Sequence, residues 1–81
     1  MSESNSELKH LEKLYDQYKK IQLSAQDRIT RYQELFSRKS YSSWPEEKKR
    51  KSLRRLNEAH NQLNESSLIL DQIQARIDRS R

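Results

Sequence analysis

The sequence predicts an all-α fold, an antiparallel hairpin of two long helices, on three observations. The first half repeats mostly apolar or aromatic residues at alternating spacings of three and four, which is typical of a coiled-coil helix. The second half repeats leucine or isoleucine every seventh residue, and the linker between them is too short for any packing but antiparallel. The repeat positions are Leu8, Leu11, Tyr15, Tyr18, Gln22, Ala25, Ile29, Tyr32 and Phe36, then Leu56, Leu63, Leu70 and Ile77.

Composition sets the size and class of the protein. The 81 residues suffice for a single domain over 1–81, and with 31% hydrophobic and 36% charged residues we expect a narrow seam between solvated helix faces. The absence of cysteine excludes disulfides and thiolate metal sites. No apolar run is long enough to span a membrane, and residues 1–6 do not read as a signal peptide. We therefore expect an intracellular protein, cytoplasmic or nuclear.

The first helix is predicted over about 5–37. Ser4 followed by Glu7 fits a capping box, in which each side chain binds an unpaired backbone N–H at the start of a helix. No glycine or proline interrupts the segment after it. The serine-rich residues 38–43 then compete with the helix by bonding to the local backbone, so a turn is predicted there.

The second helix is predicted over about 44–79. Pro45 suits a first helical turn, where its missing N–H is not needed, and Glu46 and Glu47 face the positive end of the helix dipole. Ser43 with Glu46 forms a second candidate capping box. This local pattern places the start of the helix at Ser43 or Trp44.

Both helices carry more apolar residues than one seam requires. The surplus predicts that the hairpin completes a bundle, either by dimerisation into a homo-oligomer or with a protein partner. Trp44, at the corner between the helices, is expected either to fold over the turn, which is the favoured alternative, or to project as a further anchor for a partner. The predicted partner-binding residues are Leu14, Ile21, Leu35, Leu53, Ile69, Ile73 and Trp44.

A basic run in the second helix supports a different kind of partner. The formal net charge is +5, and six of the eight residues in 48–55 are basic. Lys48, Lys51 and Arg55 share one side of the helix and are candidate anion contacts. A solvated surface, an acidic protein, anionic lipid and nucleic acid all remain open for them, with nucleic acid the least favoured.

Nothing in the sequence indicates an enzyme, and we predict no catalytic, cofactor-binding or metal-binding residues. The two histidines, His10 and His60, lie at positions that an antiparallel hairpin keeps apart. There is no glycine to build a phosphate-binding loop. A small-molecule substrate is therefore not expected.

Two segments resemble the Rho-binding homology repeat of protein-kinase-C-related kinases, a helical hairpin of similar length. Residues 24–29 are similar to its Gly-Ala-Glu-Asn motif with two following apolar residues, matching at Ala25 and Ile29 and departing at Ser24, Asp27 and Arg28. Residues 56–63 resemble its second helix, and they resemble the N-terminal helical domains of some SNARE proteins equally well. The first resemblance implies binding to an activated small GTPase of the Rho type.

The function that the sequence predicts is a non-catalytic protein–protein interaction or scaffold module, a coiled-coil subunit of a larger assembly. The first alternative is a Rho-type GTPase-binding hairpin of a signalling or membrane-traffic protein. The second is a basic helical protein that binds nucleic acid.

Overall fold

The computed structural model describes the backbone of residues 2–80 and the side chains of residues 6–80. Helix α1 spans Ser2–Phe36, a short 3-10 helix spans Lys39–Ser43, and helix α2 spans Glu46–Ser80. The two long helices pack against each other along their length in an elongated hairpin of 62 × 16 × 14 Å. The predicted all-α hairpin is confirmed.

The core is a single seam between the helices. At the end remote from the turn, Leu11 of α1 lies against Ile73 and Ile77 of α2, and partly buried apolar side chains surround them. All nine predicted positions of α1, from Leu8 to Phe36, are buried or half-buried. The alternating spacing therefore identifies the face of α1 that packs against α2.

The seam of α2 contains more residues than the four predicted heptad positions. Small side chains at Ala59 and Ser66 are buried between the leucines, and Ala25 of α1 is also buried in the seam. Ile73 is also buried, with 6% of its surface exposed. The prediction counted Ile73 among the surplus apolar residues, but the position three after Leu70 faces α1 because a helical seam alternates spacings of three and four.

The ends of α1 differ from the predicted limits. The helix begins by Ser2, three residues before the predicted start, so Ser4 lies inside it and not at its N-cap. The side chain of Ser4 is outside the part that the structure describes. The helix ends at Phe36, where the Ser37 hydroxyl donates to the Glu34 carbonyl at 2.8 Å and satisfies an acceptor of the last turn.

The start of α2 also differs, and the capping box predicted at Ser43 is wrong. Ser43 belongs to the 3-10 helix, where its hydroxyl donates to the Ser40 carbonyl at 2.7 Å. The first hydrogen bond of α2 instead runs from the Lys49 amide to the Pro45 carbonyl at 3.0 Å. The turn predicted over 38–43 contains this 3-10 helix, in which the hydroxyls of Ser42 and Ser43 donate to carbonyls three residues back.

Substitution of Ser43 tests this corrected start. We expect Ser43→Ala to change the free energy of unfolding by no more than about 0.5 kcal/mol, because it removes one exposed hydrogen bond and no helix cap. Thermal unfolding followed by circular dichroism measures the difference. A loss of about 1–2 kcal/mol, typical of a removed N-cap, would show that Ser43 does begin α2.

Aromatic side chains close the hairpin at the turn. Phe36 contacts Tyr41 at 4.9 Å between ring centroids, and Trp44 meets Tyr41 edge to face at 5.3 Å. The ammonium groups of Lys48 and Lys49 lie over Trp44 and Tyr41, at 4.1 and 5.3 Å from the ring centroids. Trp44 therefore folds over the turn and is half-buried against its own chain.

Candidate partner-binding face

Two rows of residues flank the seam on one side of the hairpin. In α1 the row is at positions 7, 14, 21, 28 and 35, and in α2 it is at 48, 55, 62, 69 and 76. Residues seven apart lie on the same side of a helix, two turns apart. The Arg28 guanidinium donates a hydrogen bond to the Gln62 side-chain carbonyl, so the two rows meet directly. They form one continuous surface along the hairpin.

This surface carries seven of the fourteen basic residues of the two long helices. The count takes the rows and the helix positions three residues after each member, where these seven basic residues stand against three acidic ones. The basic residues are Arg28, Arg31, Lys48, Lys51, Arg55, Arg76 and Arg79, and the acidic ones are Glu7, Glu58 and Glu65. We call this side the basic face. All ten of these charged side chains are exposed.

The other side of the hairpin has the opposite balance. Its basic residues are Lys9, Lys19 and Arg50, and its acidic ones are Glu12, Asp16, Glu46, Asp71 and Asp78. Glu12 and Asp16 of α1 lie beside Gln74 of α2 in a small groove there, which shows that these positions share a side. The charges of the two helices are therefore segregated between the two sides.

An apolar groove runs into the basic face at the end remote from the turn. Leu14 of α1 and Ile69 of α2 form its walls, and the core residues Leu11 and Ile73 lie at its floor. Arg76 and Arg79 also line the groove, which has a volume of about 510 Å³. The groove has the shape and polarity to receive an apolar side chain whose neighbours are acidic.

A second, shallower groove lies on the basic face near the turn. It brings together Lys48, Lys51 and Arg55, as predicted from their shared side of the helix. Glu47 lines the same groove, and its carboxylate is 3.4 Å from the Lys51 ammonium. Part of the positive charge is therefore neutralised locally, and the role of the three residues as an anion contact stays a prediction.

The structure divides the predicted partner-binding residues among four places. Leu14, Ile21, Leu35 and Ile69 lie in the rows of the basic face, Leu53 lies on the opposite side, Ile73 is in the core, and Trp44 closes the turn. Ile21 is 36% exposed, at the middle of the basic face. Leu23 and Leu68 are more exposed than Ile21, and neither is among the predicted partner-binding residues.

The described residues offer little for chemistry. His10 and His60 are exposed, and no group of three or more His, Asp or Glu side chains within that part of the chain is placed to hold a metal ion. Across residues 2–80, neither long helix has an apolar stretch suited to crossing a membrane. The basic face combines an apolar groove with a net positive charge.

No family model, curated protein or solved structure matches this chain.

Proposed function

We propose that the protein is a non-catalytic interaction module, a coiled-coil subunit of a larger assembly that binds a protein partner along the basic face. The observation that carries this proposal is the row of partly exposed apolar side chains along that face. Leu14, Ile21 and Leu35 occupy three positions of the α1 row, with Arg28 between the last two, and Ile69 lies beside Leu14 in the groove. A regular apolar row flanked by charge is typical of a surface that packs against another helix.

The Rho-type alternative is less well supported by the placement of its residues. Ala25 and Ile29, the two positions that match the motif, are buried in the seam between α1 and α2. They serve the packing of the hairpin and do not face a partner. The accessible residues of that segment are the ones at which the sequence departs from the motif, among them Asp27 and Arg28.

Site-specific photocrosslinking tests the proposed function. A benzophenone amino acid replaces Ile21 on the basic face in one variant and Leu23 on the other side in the control, and both are expressed in the source cells. We expect crosslinks to a discrete protein from position 21 and much weaker ones from position 23, which is 53% exposed. Equal crosslinking at both positions, or none at 21 while circular dichroism shows an intact fold, would contradict the proposal.

A further inference from the structure

We propose that the occupant of the basic face is an acidic amphipathic helix of another protein, packed lengthwise on the hairpin as a third helix. This inference depends on the proposed function and adds the chemistry of the partner. The partner helix inserts apolar side chains between α1 and α2 and places carboxylates beside the flanking cations.

The shape of the surface favours a helix. Two packed helices leave a groove between them, and two apolar side chains of the basic face line this groove at the end remote from the turn. Leu14 and Ile69 stand on opposite walls, above Leu11 and Ile73. The side chains of a third helix fill such a groove as knobs in holes. A flat membrane surface contacts the outer ridges of the two helices and leaves the groove empty.

The charge distribution requires that this helix be acidic. Cations border the apolar row at both ends of the face, with Lys48, Lys51 and Arg55 near the turn and Arg76 and Arg79 near the chain termini. Carboxylates on the partner neutralise them at the rim, where they direct orientation and accelerate association. A neutral or basic helix would bring no compensation for this excess of positive charge.

A second copy of the chain is a poor occupant for the same reason. If two basic faces pack in parallel, each basic cluster meets its own counterpart. If they pack antiparallel, Lys48 and Arg55 of one chain approach Arg76 and Arg79 of the other. Like charges meet in both orientations, and like-charge contacts across an interface are strongly unfavourable.

Nucleic acid fits less well than an acidic helix. Phosphates laid along the face would meet Leu14, Ile21 and Ile69 at its centre, which offer no hydrogen bonds. An acidic helix uses both the apolar row and the cations, whereas a phosphate backbone uses the cations alone.

The test uses synthetic peptides as probes of the intact chain. One fluorescent peptide of four heptads carries leucine at the seam positions and glutamate at the flanking positions, which also prevents the peptide from pairing with itself. Its control replaces every glutamate with lysine. We expect the acidic peptide to bind by anisotropy at least about tenfold tighter than the basic one, with an affinity that falls as salt is raised.

Charge reversals locate the binding. The variant Arg55→Glu/Arg76→Glu alters the basic face at both ends, and Lys19→Glu/Arg50→Glu makes the same change in net charge on the other side. We expect the first to weaken acidic-peptide binding by about tenfold and the second by less than about twofold. Circular dichroism verifies that both variants remain folded. If either does not fold, the comparison of the two peptides on the unaltered chain still tests the inference.

Other outcomes would overturn the inference. Equal binding of the two peptides would contradict it, and so would an equal loss of binding in the two charge variants. It would also be contradicted if, at the same salt, the chain bound anionic vesicles, duplex DNA or an unlabelled second copy of itself more tightly than the acidic peptide. If Ile21 crosslinks to a protein but the acidic peptide does not bind, the proposed function stands and the acidic helix is wrong. If Ile21 yields no protein crosslink, the proposed function itself fails.

Discussion

Leu70→Ala is expected to unfold the hairpin or to lower its free energy of unfolding by about 2–5 kcal/mol. Leu70 is 5% exposed in the seam of α2, so its truncation removes buried apolar surface and leaves a cavity. A small single-core protein has only about 3–5 kcal/mol of stability to lose. Urea or thermal unfolding followed by circular dichroism measures the loss.

The matched control is Leu68→Ala, the same substitution two residues earlier on the same helix. Leu68 is 61% exposed, so we expect its truncation to change stability by less than about 0.5 kcal/mol. Similar losses in the two variants would mean that the seam does not run through Leu70. A larger loss from Leu68 would place the core on another face of α2.

Ala25→Leu is expected to destabilise the hairpin by overpacking, by about 1–3 kcal/mol. Ala25 is fully buried (0% exposed) in the seam, between the inter-helix hydrogen bonds Gln22–Ser67 and Arg28–Gln62, and the buried Ser66 and Ala59 of α2 are also small. These small side chains leave no room for a larger one unless the helices separate. The same unfolding measurement applies, and this variant and its control are compared at equal protein concentration.

Ser24→Leu is the control for this substitution. It adds the same side chain at the neighbouring exposed position and improves the intrinsic helix propensity slightly. We expect it to leave stability unchanged or slightly raised. If Ala25→Leu stabilises the chain as well, the helices do not approach closely at Ala25.

The face of α1 that packs against α2 was predictable because large side chains mark it at every turn. Leu11, Tyr15 and Ile29 carry enough hydrophobicity to reveal a period of three and four residues. In α2 half of the seam positions are occupied by Ser52, Ala59, Ser66 and Ile73. Serine and alanine give a weak hydrophobic signal, so the sequence pattern does not show that Ile73 belongs to the seam.

The turn was less predictable because serine stabilises both helix starts and 3-10 turns. Serine before Pro45 is as suitable for capping a helix as for closing a 3-10 turn, and the sequence does not show which carbonyl or N–H its hydroxyl binds. In the fold Ser43 bonds back to Ser40, and α2 begins later. Part of the basic face was predictable from the basic run 48–55. Arg28 and Arg76 are distant from this run in sequence, and they share a face with it only because the two helices pack antiparallel.

Sedimentation equilibrium of the isolated chain across the micromolar range tests most directly whether the basic face binds a different protein and not a second copy of the chain. The hairpin closes its own seam, and its charge opposes a second copy on that face. We therefore predict a helical monomer of 9.8 kDa at every concentration, at both low and physiological salt. A dimer or higher oligomer at micromolar concentration that dissociates on Ile21→Glu would contradict this, because the apolar row would then bind a second copy of the chain.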